Sequence, residues 1–187
     1  MMMVMMTPST LPWLSGFAAM SRERESGAIQ RSWIALFGLG YLVVWVGFSV
    51  VAASLQVWLR SQALLDASRA MTTPLGALVL VGAGLYQLTP AKVACVQHCR
   101  TPLSYFLSRW RNGPGGALRM GISHGAYCVA CCWALMLSGF ALGVMNLAWM
   151  GALTVIVALE TLAPRGDRMG QLAGAAMVVW GLTLLLL

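Results

Sequence analysis

The stretch Ala117–Leu142, ALRMGISHGAYCVACCWALMLSGFAL, contains 23 residues after Arg119 without a lysine, arginine, aspartate or glutamate. About 20 predominantly apolar residues are enough for a helix to cross the hydrocarbon core of a bilayer. The same stretch holds one histidine and three cysteines, at His124, Cys128, Cys131 and Cys132. It therefore predicts a membrane-spanning helix that carries side chains capable of binding a metal ion.

The rest of the chain has the composition of an integral membrane protein. Its 187 residues are 59% apolar and only 9% charged, whereas a soluble domain is typically about 25% charged. We predict an all-α fold, a polytopic transmembrane helix bundle that forms a single integral membrane domain over residues 1–187. Five complete spans are expected, at approximately 33–59, 74–89, 117–142, 144–162 and 171–187.

The N-terminal segment 1–20 is a less regular candidate for a span. It is apolar, but Pro8 and Pro12 interrupt it, and it lacks the basic region of a signal peptide. Five of its first six residues are methionine. We expect a partial span here, the remainder of a truncated first helix.

The basic residues predict the orientation of the bundle, because cytoplasmic loops are enriched in lysine and arginine. The segments 21–32, 90–120 and 163–170 together hold ten of the twelve basic residues, and the segment 60–73 holds the other two. We expect the first three segments to face the cytoplasm, with the protein in the bacterial inner (plasma) membrane. The net charge of +7 is then explained by topology, and no nucleic-acid partner is expected.

The segment 90–116 is expected to be a basic cytoplasmic connection. Within it, LSYFLSRWRNG (103–113) mixes aromatic and basic residues, which suits a helix lying in the headgroup layer; a plain basic loop is the alternative. The run Gly113-Pro114-Gly115-Gly116 is expected to interrupt helical structure, because glycine and proline disfavour the interior of a helix.

All five cysteines and both histidines of the chain fall in two motifs, CVQHC at 95–99 and HGAYCVACC at 124–132. Thiolates and imidazoles bind soft and borderline metals such as Cu(I) and Zn(II). At 100° per residue, each motif places its side chains on one stripe of a helix, so the two stripes could converge on one site. The predicted metal ligands are Cys95, His98, Cys99, His124, Cys128, Cys131 and Cys132.

Copper(I) is favoured over zinc as the metal ion. Seven candidate ligands exceed the four of a tetrahedral zinc site, and thiols that face the cytoplasm stay reduced. The predicted function is the handling of Cu(I) or another soft metal, by transport or by an intramembrane chaperone. No catalytic residue is predicted, and an enzymatic role is not expected.

Two alternatives remain open from the residues alone. Cys128 and Cys131 form a CxxC pair, which would serve a membrane thiol-disulfide oxidoreductase. A structural zinc site in a non-catalytic membrane subunit would use the same side chains. Any single cysteine could also be a small buried hydrophobic residue.

Three segments resemble an uncharacterised bacterial family of predicted metal-binding integral membrane proteins: GLYQLTPAKVACVQHCRTPLSYFL, GALRMGISHGAYCVACCWALM and GVMNLAWMGAL. The resemblance runs from about Trp33 to the C-terminus and implies metal binding without naming a reaction. The family's motif positions correspond here to Cys95, Cys99, His124, Cys128, Cys131 and Cys132.

The chain also departs from that family's pattern. Relatives often have lysine after the glutamate of the fifth span, where this chain has Glu160-Thr161. With about six helices the chain is small for a lone transporter. The expected partners are therefore the lipid bilayer, the metal ion, and either a second copy of the chain or a partner membrane or periplasmic protein.

Overall fold

The computed structural model of the protein describes residues 5–22, 27–65, 73–141 and 147–186. Eight helices lie in these ranges: α1 (Thr7–Arg22), α2 (Gly27–Ser61), α3 (Thr73–Gln87), α4 (Pro90–Arg100), α5 (Pro102–Arg109), α6 (Gly113–Ala141), α7 (Leu147–Leu162) and α8 (Gly166–Leu186). The predicted all-α helix bundle is confirmed. The predicted span ends at 142 and 187, the span start at 144 and the first four residues of the N-terminal segment lie outside the described residues.

Within the described ranges, three helices are long and apolar enough to cross a membrane, and they cover Ile29–Ser61, Gly113–Ala141 and Gly166–Leu186. The pair Pro74–Gln87 and Pro90–Arg100 passes the same test as one broken span with a bend of 64°. The apolar helix Leu147–Leu162 is shorter. Length and composition thus give three spans, or four with the bent pair, and the count of five stays a prediction.

The first motif lies on a regular helix and not on an irregular connection. The side chain of Thr89 accepts a hydrogen bond from the backbone nitrogen of Lys92 at 3.3 Å, and Pro90 occupies the first turn of α4. Both features favour the start of a helix. The predicted helix within 103–113 is also present as α5, while its position in the headgroup layer stays a prediction.

The expectation that Gly113–Gly116 interrupts helical structure is wrong, because these residues form the first turn of α6. Gly113 has a φ of +83°, a conformation that glycine adopts without steric cost. Pro114 follows in the first turn, where its missing N–H costs no intrahelical hydrogen bond. A run of helix-disfavouring residues therefore starts a helix here.

Helices α2 and α6 cross in close contact. A side chain on Gly121 would collide with the backbone carbonyl of Phe37, and one on Gly40 would lie 2.9 Å from the backbone nitrogen of Ile122. Small residues at such crossings let two backbones approach each other. This contact holds α6, which carries the second motif, firmly against α2.

Helix α1 covers the end of the bundle where the two motifs lie. Its Trp13 and Phe17 are fully buried and pack with Phe37 of α2 and Phe106 of α5. The N-terminal segment predicted as a partial span is thus a helix whose aromatic face closes over the motifs.

Candidate metal centre

The three cysteines of α6 form a compact group. The sulfur atoms of Cys128, Cys131 and Cys132 all lie within 4.8 Å of one another, and all three side chains are buried. Cys131 and Cys132 occupy the positions three and four residues after Cys128, and both thiols donate a hydrogen bond to its backbone carbonyl, at 3.1 and 2.9 Å. Helical periodicity alone therefore gathers the three thiols on one face of α6. We call this group the thiol trio.

Helix α4 brings a fourth thiol to the trio. Cys99 is buried and packs in the same core cluster as the trio, where it interacts electrostatically with Cys131. Cys95, one turn earlier on the same helix, is half-buried and lies outside the trio. The two motifs thus converge on one place, as the stripes predicted, and both Cys99 and His98 of the first motif pack against the second.

Both histidines lie beside this group in an aromatic enclosure. The ring of His124 is fully buried and stacks on Trp13, with the ring centroids 4.0 Å apart. His98 stacks on Tyr127 at 3.8 Å. Among the described residues, neither ring nitrogen of His124 has a hydrogen-bond partner, and the same is true of Nε2 of His98. Buried imidazole nitrogens without a partner are available as metal donors.

Trp13 ties the N-terminal helix to both motifs. Its indole nitrogen donates a hydrogen bond of 2.7 Å to the backbone carbonyl of Cys99, while its ring covers one face of His124. Trp13 was not among the predicted site residues. The signal that could have revealed it is a tryptophan beside Pro12 in a segment otherwise rich in methionine.

A buried polar network contacts the backbone of the thiol trio at Cys131. Nζ of Lys92 forms an ion pair of 2.8 Å with Glu160 of α7, and these side chains are only 3% and 2% exposed. The same ammonium group donates to the backbone carbonyl of Cys131. Gln87 completes the network, since its amide donates to the other oxygen of Glu160 at 2.7 Å.

Glu160 lies in a predicted span, but its partner was not among the predicted site residues. Lys92 is the only lysine of the chain, and it lies 68 positions before Glu160. That uniqueness was the available signal, because a buried charge requires a partner of opposite sign. The network joins α3, α4, α6 and α7, so it holds the first motif in place against the second.

The three sulfur atoms of the trio would have to move only slightly to coordinate a thiophilic metal ion. Tetrahedral coordination at a metal–sulfur distance of about 2.3 Å places the sulfur atoms about 3.8 Å apart. The sulfurs of the trio are already within 4.8 Å of one another. Cu(I) is satisfied by soft thiolate ligands, and a zinc ion would need a fourth ligand, which Cys99 or His124 could supply.

Comparison with known protein families agrees with this chemistry. A family model, PpoB2, described as a copper chaperone, matches residues 1–184. The chain belongs to this copper chaperone family. The match includes α1 and both Cys/His motifs, and it is compatible with the resemblance to metal-binding proteins found in the sequence. No curated protein and no solved structure matches the chain.

Because the chain belongs to the copper chaperone family, its buried thiols are candidate metal ligands and not only packing residues. Metal handling by such a protein requires donor atoms that select a soft ion, and the thiol trio with its neighbouring imidazoles offers only sulfur and nitrogen. The side chain of Tyr41 lies beside the trio, with its hydroxyl 3.8 Å from the sulfur of Cys128. The seven residues predicted as ligands therefore divide into the trio, the adjacent Cys99, and three flanking residues, namely Cys95, His98 and His124.

Proposed function

We propose that this protein is an integral membrane copper chaperone that holds Cu(I) as cargo on the thiol trio. The observation that carries the proposal is the presence of three buried sulfur atoms within 4.8 Å of one another in a chain of the copper chaperone family. Thiolates are the ligands that Cu(I) prefers. Because ligands must be deprotonated, loading the trio releases protons.

Cys99 is the residue through which cargo would pass between the two motifs. Cys99 packs in the same buried cluster as the trio but lies on a different helix, so a Cu(I) ion could exchange thiolates without leaving the sulfur-rich site. The ring nitrogens of His124, which have no hydrogen-bond partner in the described part of the chain, give a further donor beside the trio. This arrangement suits a chaperone, which must bind a metal ion and also release it to an acceptor.

The membrane location rests on the outward faces of the long helices. On α2 the side chains of Val50, Val51 and Val57 are 60%, 66% and 71% exposed. Apolar surface of this extent needs a covering, and three helices have the length and composition of spans. With ten of the twelve basic residues in the segments predicted to be cytoplasmic, the proposed location is the bacterial inner membrane with both motifs near the cytoplasmic side.

A binding measurement on detergent-purified protein tests the proposal. Cu(I) is titrated against a chromogenic chelator for the wild type and for Cys131→Ser, which removes one of the three sulfur atoms of the trio. We expect one Cu(I) per chain in the wild type and an affinity more than about 100-fold lower in the variant, since the loss of even an outer-shell partner of a metal site costs 10–100-fold. Ser138→Ala is the matched control, because Ser138 is a buried residue of the same helix whose hydroxyl bonds the carbonyl of Leu135.

Three other results would each overturn the copper proposal. Equal Cu(I) affinity of the wild type and Cys131→Ser would exclude the trio as the site. Bound zinc that does not exchange would favour the structural zinc site. A Cys128–Cys131 disulfide that titrates reversibly without bound metal would favour the thiol oxidoreductase.

A further inference from the structure

A second polar feature lies apart from the thiol trio, at the start of α6. A pocket of about 560 Å³ opens between α5 and the first turns of α6. Its lining combines three arginines with hydroxyl and indole groups: Arg109, Arg111, Arg119, Ser108, Ser123 and Trp110. All three arginines are exposed, and the metal site makes no use of them.

The positive charge of this pocket has no carboxylate to balance it within the described residues. The segment 90–120 contains five basic residues and no acid. In the described part of the chain, Glu160 is bound to Lys92 and Asp167 lies 3.4 Å from Arg100. Within the described residues, the three guanidinium groups therefore have no carboxylate partner and can bind an external anion.

The position of the pocket along α6 indicates which anion it meets. After Arg119, the helix continues for 22 residues to Ala141 without a charged side chain, a length of about 33 Å at 1.5 Å per residue. That length matches the hydrocarbon core of a bilayer, about 30 Å. Given the membrane insertion proposed above, the pocket lies at the level of the lipid headgroups.

Helix α5 presents an apolar edge at the same level. Leu103 and Leu107, one turn apart, are 60% and 68% exposed, whereas Tyr105 and Phe106 between them are buried. Exposed leucines beside a basic pocket suit contact with acyl chains below a phosphate group.

We propose that this pocket binds the phosphate group of an anionic phospholipid. Guanidinium groups recognise phosphate oxygens with paired hydrogen bonds, and the serine hydroxyls of the lining add neutral donors. Free inorganic phosphate has the same binding chemistry, but only a lipid also uses the exposed leucines of α5. The proposal rests on the membrane location of the proposed function and is independent of copper binding.

The test uses the full-length protein in a zwitterionic detergent and follows tryptophan fluorescence, since Trp110 lines the pocket. The probes are dihexanoyl phosphatidylglycerol, dihexanoyl phosphatidylcholine and inorganic phosphate. The variant Arg109→Gln/Arg111→Gln/Arg119→Gln is compared with Arg31→Gln/Arg60→Gln/Arg165→Gln, which removes the same charge from exposed positions outside the pocket.

We expect phosphatidylglycerol to bind the wild type and the control variant equally, and the pocket variant at least about 100-fold more weakly, since each hydrogen bond to a charged group contributes about tenfold or more. Equal binding of inorganic phosphate and phosphatidylglycerol, lost in the pocket variant, would still support a phosphate site and would assign it to free phosphate. Equal binding of the two lipids, or equal loss in both variants, would overturn the proposal. Cu(I) binding is also measured on the pocket variant. If that binding is retained, a loss of lipid binding is distinguished from a failure of the copper site.

Discussion

Replacing Lys92 by methionine is expected to destabilise the helix bundle by about 3–5 kcal/mol. The change leaves the carboxylate of Glu160 buried without its partner, which is 2.8 Å away in the wild type. Removing one member of a buried ion pair costs 3–5 kcal/mol because the remaining charge is uncompensated. Methionine retains most of the volume of lysine, so a cavity contributes little to this loss.

The structure places the cost toward the lower end of that range. The amide of Gln87 still donates to Glu160 at 2.7 Å, so the carboxylate keeps one hydrogen bond. Glu160→Gln alone should cost a similar amount, because it leaves the ammonium group of Lys92 as the unpaired charge. The double variant Lys92→Met/Glu160→Gln removes both charges, and we expect it to cost less than the sum of the single changes by at least about 2 kcal/mol.

The assay is equilibrium unfolding in detergent micelles, followed by circular dichroism, for the wild type, both single variants and the double variant. Cu(I) binding to each folded variant is measured in parallel. The thiol trio lies on α6 alone, so the Cu(I) stoichiometry should stay at one. Additivity of the two single changes within about 0.5 kcal/mol would refute the reasoning, because it would mean that the two charges do not interact.

Two further substitutions and one pair of glycines test the packing around the site. Trp13→Phe keeps an aromatic ring but leaves the carbonyl of Cys99 without its donor, which should cost about 1–3 kcal/mol in the free energy of unfolding; no loss would contradict the contact. Thr89→Ala removes the N-terminal cap of α4 and should lower that free energy by about 1 kcal/mol, whereas an unchanged midpoint would contradict the cap. Gly121→Ala should lower the melting temperature because it forces α2 and α6 apart at a cost of about 1–3 kcal/mol, and Gly139→Ala, with nothing within 4 Å of the added carbon, should not; equal effects would argue against the close crossing.

The part of the site that lies on a single helix could be predicted from the sequence. His124, Cys128, Cys131 and Cys132 share one face of α6 because the 3.6-residue repeat fixes the spacing of side chains on a single helix. The convergence of the two motifs was also anticipated from their stripes. The sequence could not show which of the predicted ligands lie next to the trio. Cys99 packs beside Cys131 and Cys95 lies outside the trio, and both positions depend on how α4 packs against α6.

The error at Gly113–Gly116 has a local physical cause. Glycine and proline disfavour a helix interior, but at a helix start the first N–H groups need no partner, and Gly113 adopts a positive φ. Composition indicated a break in regular structure, and only the backbone path shows that the same residues begin α6.

The amino-acid sequence by itself determined the helical class, the apolar surfaces and the presence of two Cys/His motifs, since these follow from composition and from spacing within single helices. The tertiary structure decided which thiols pack together, that Trp13 stacks on His124, and that Lys92 forms an ion pair with Glu160. Those contacts join residues 32 to 111 positions apart along the chain. Their formation depends on the packing of whole helices and on the need of each buried charge or donor for a partner, and neither is encoded in any local pattern.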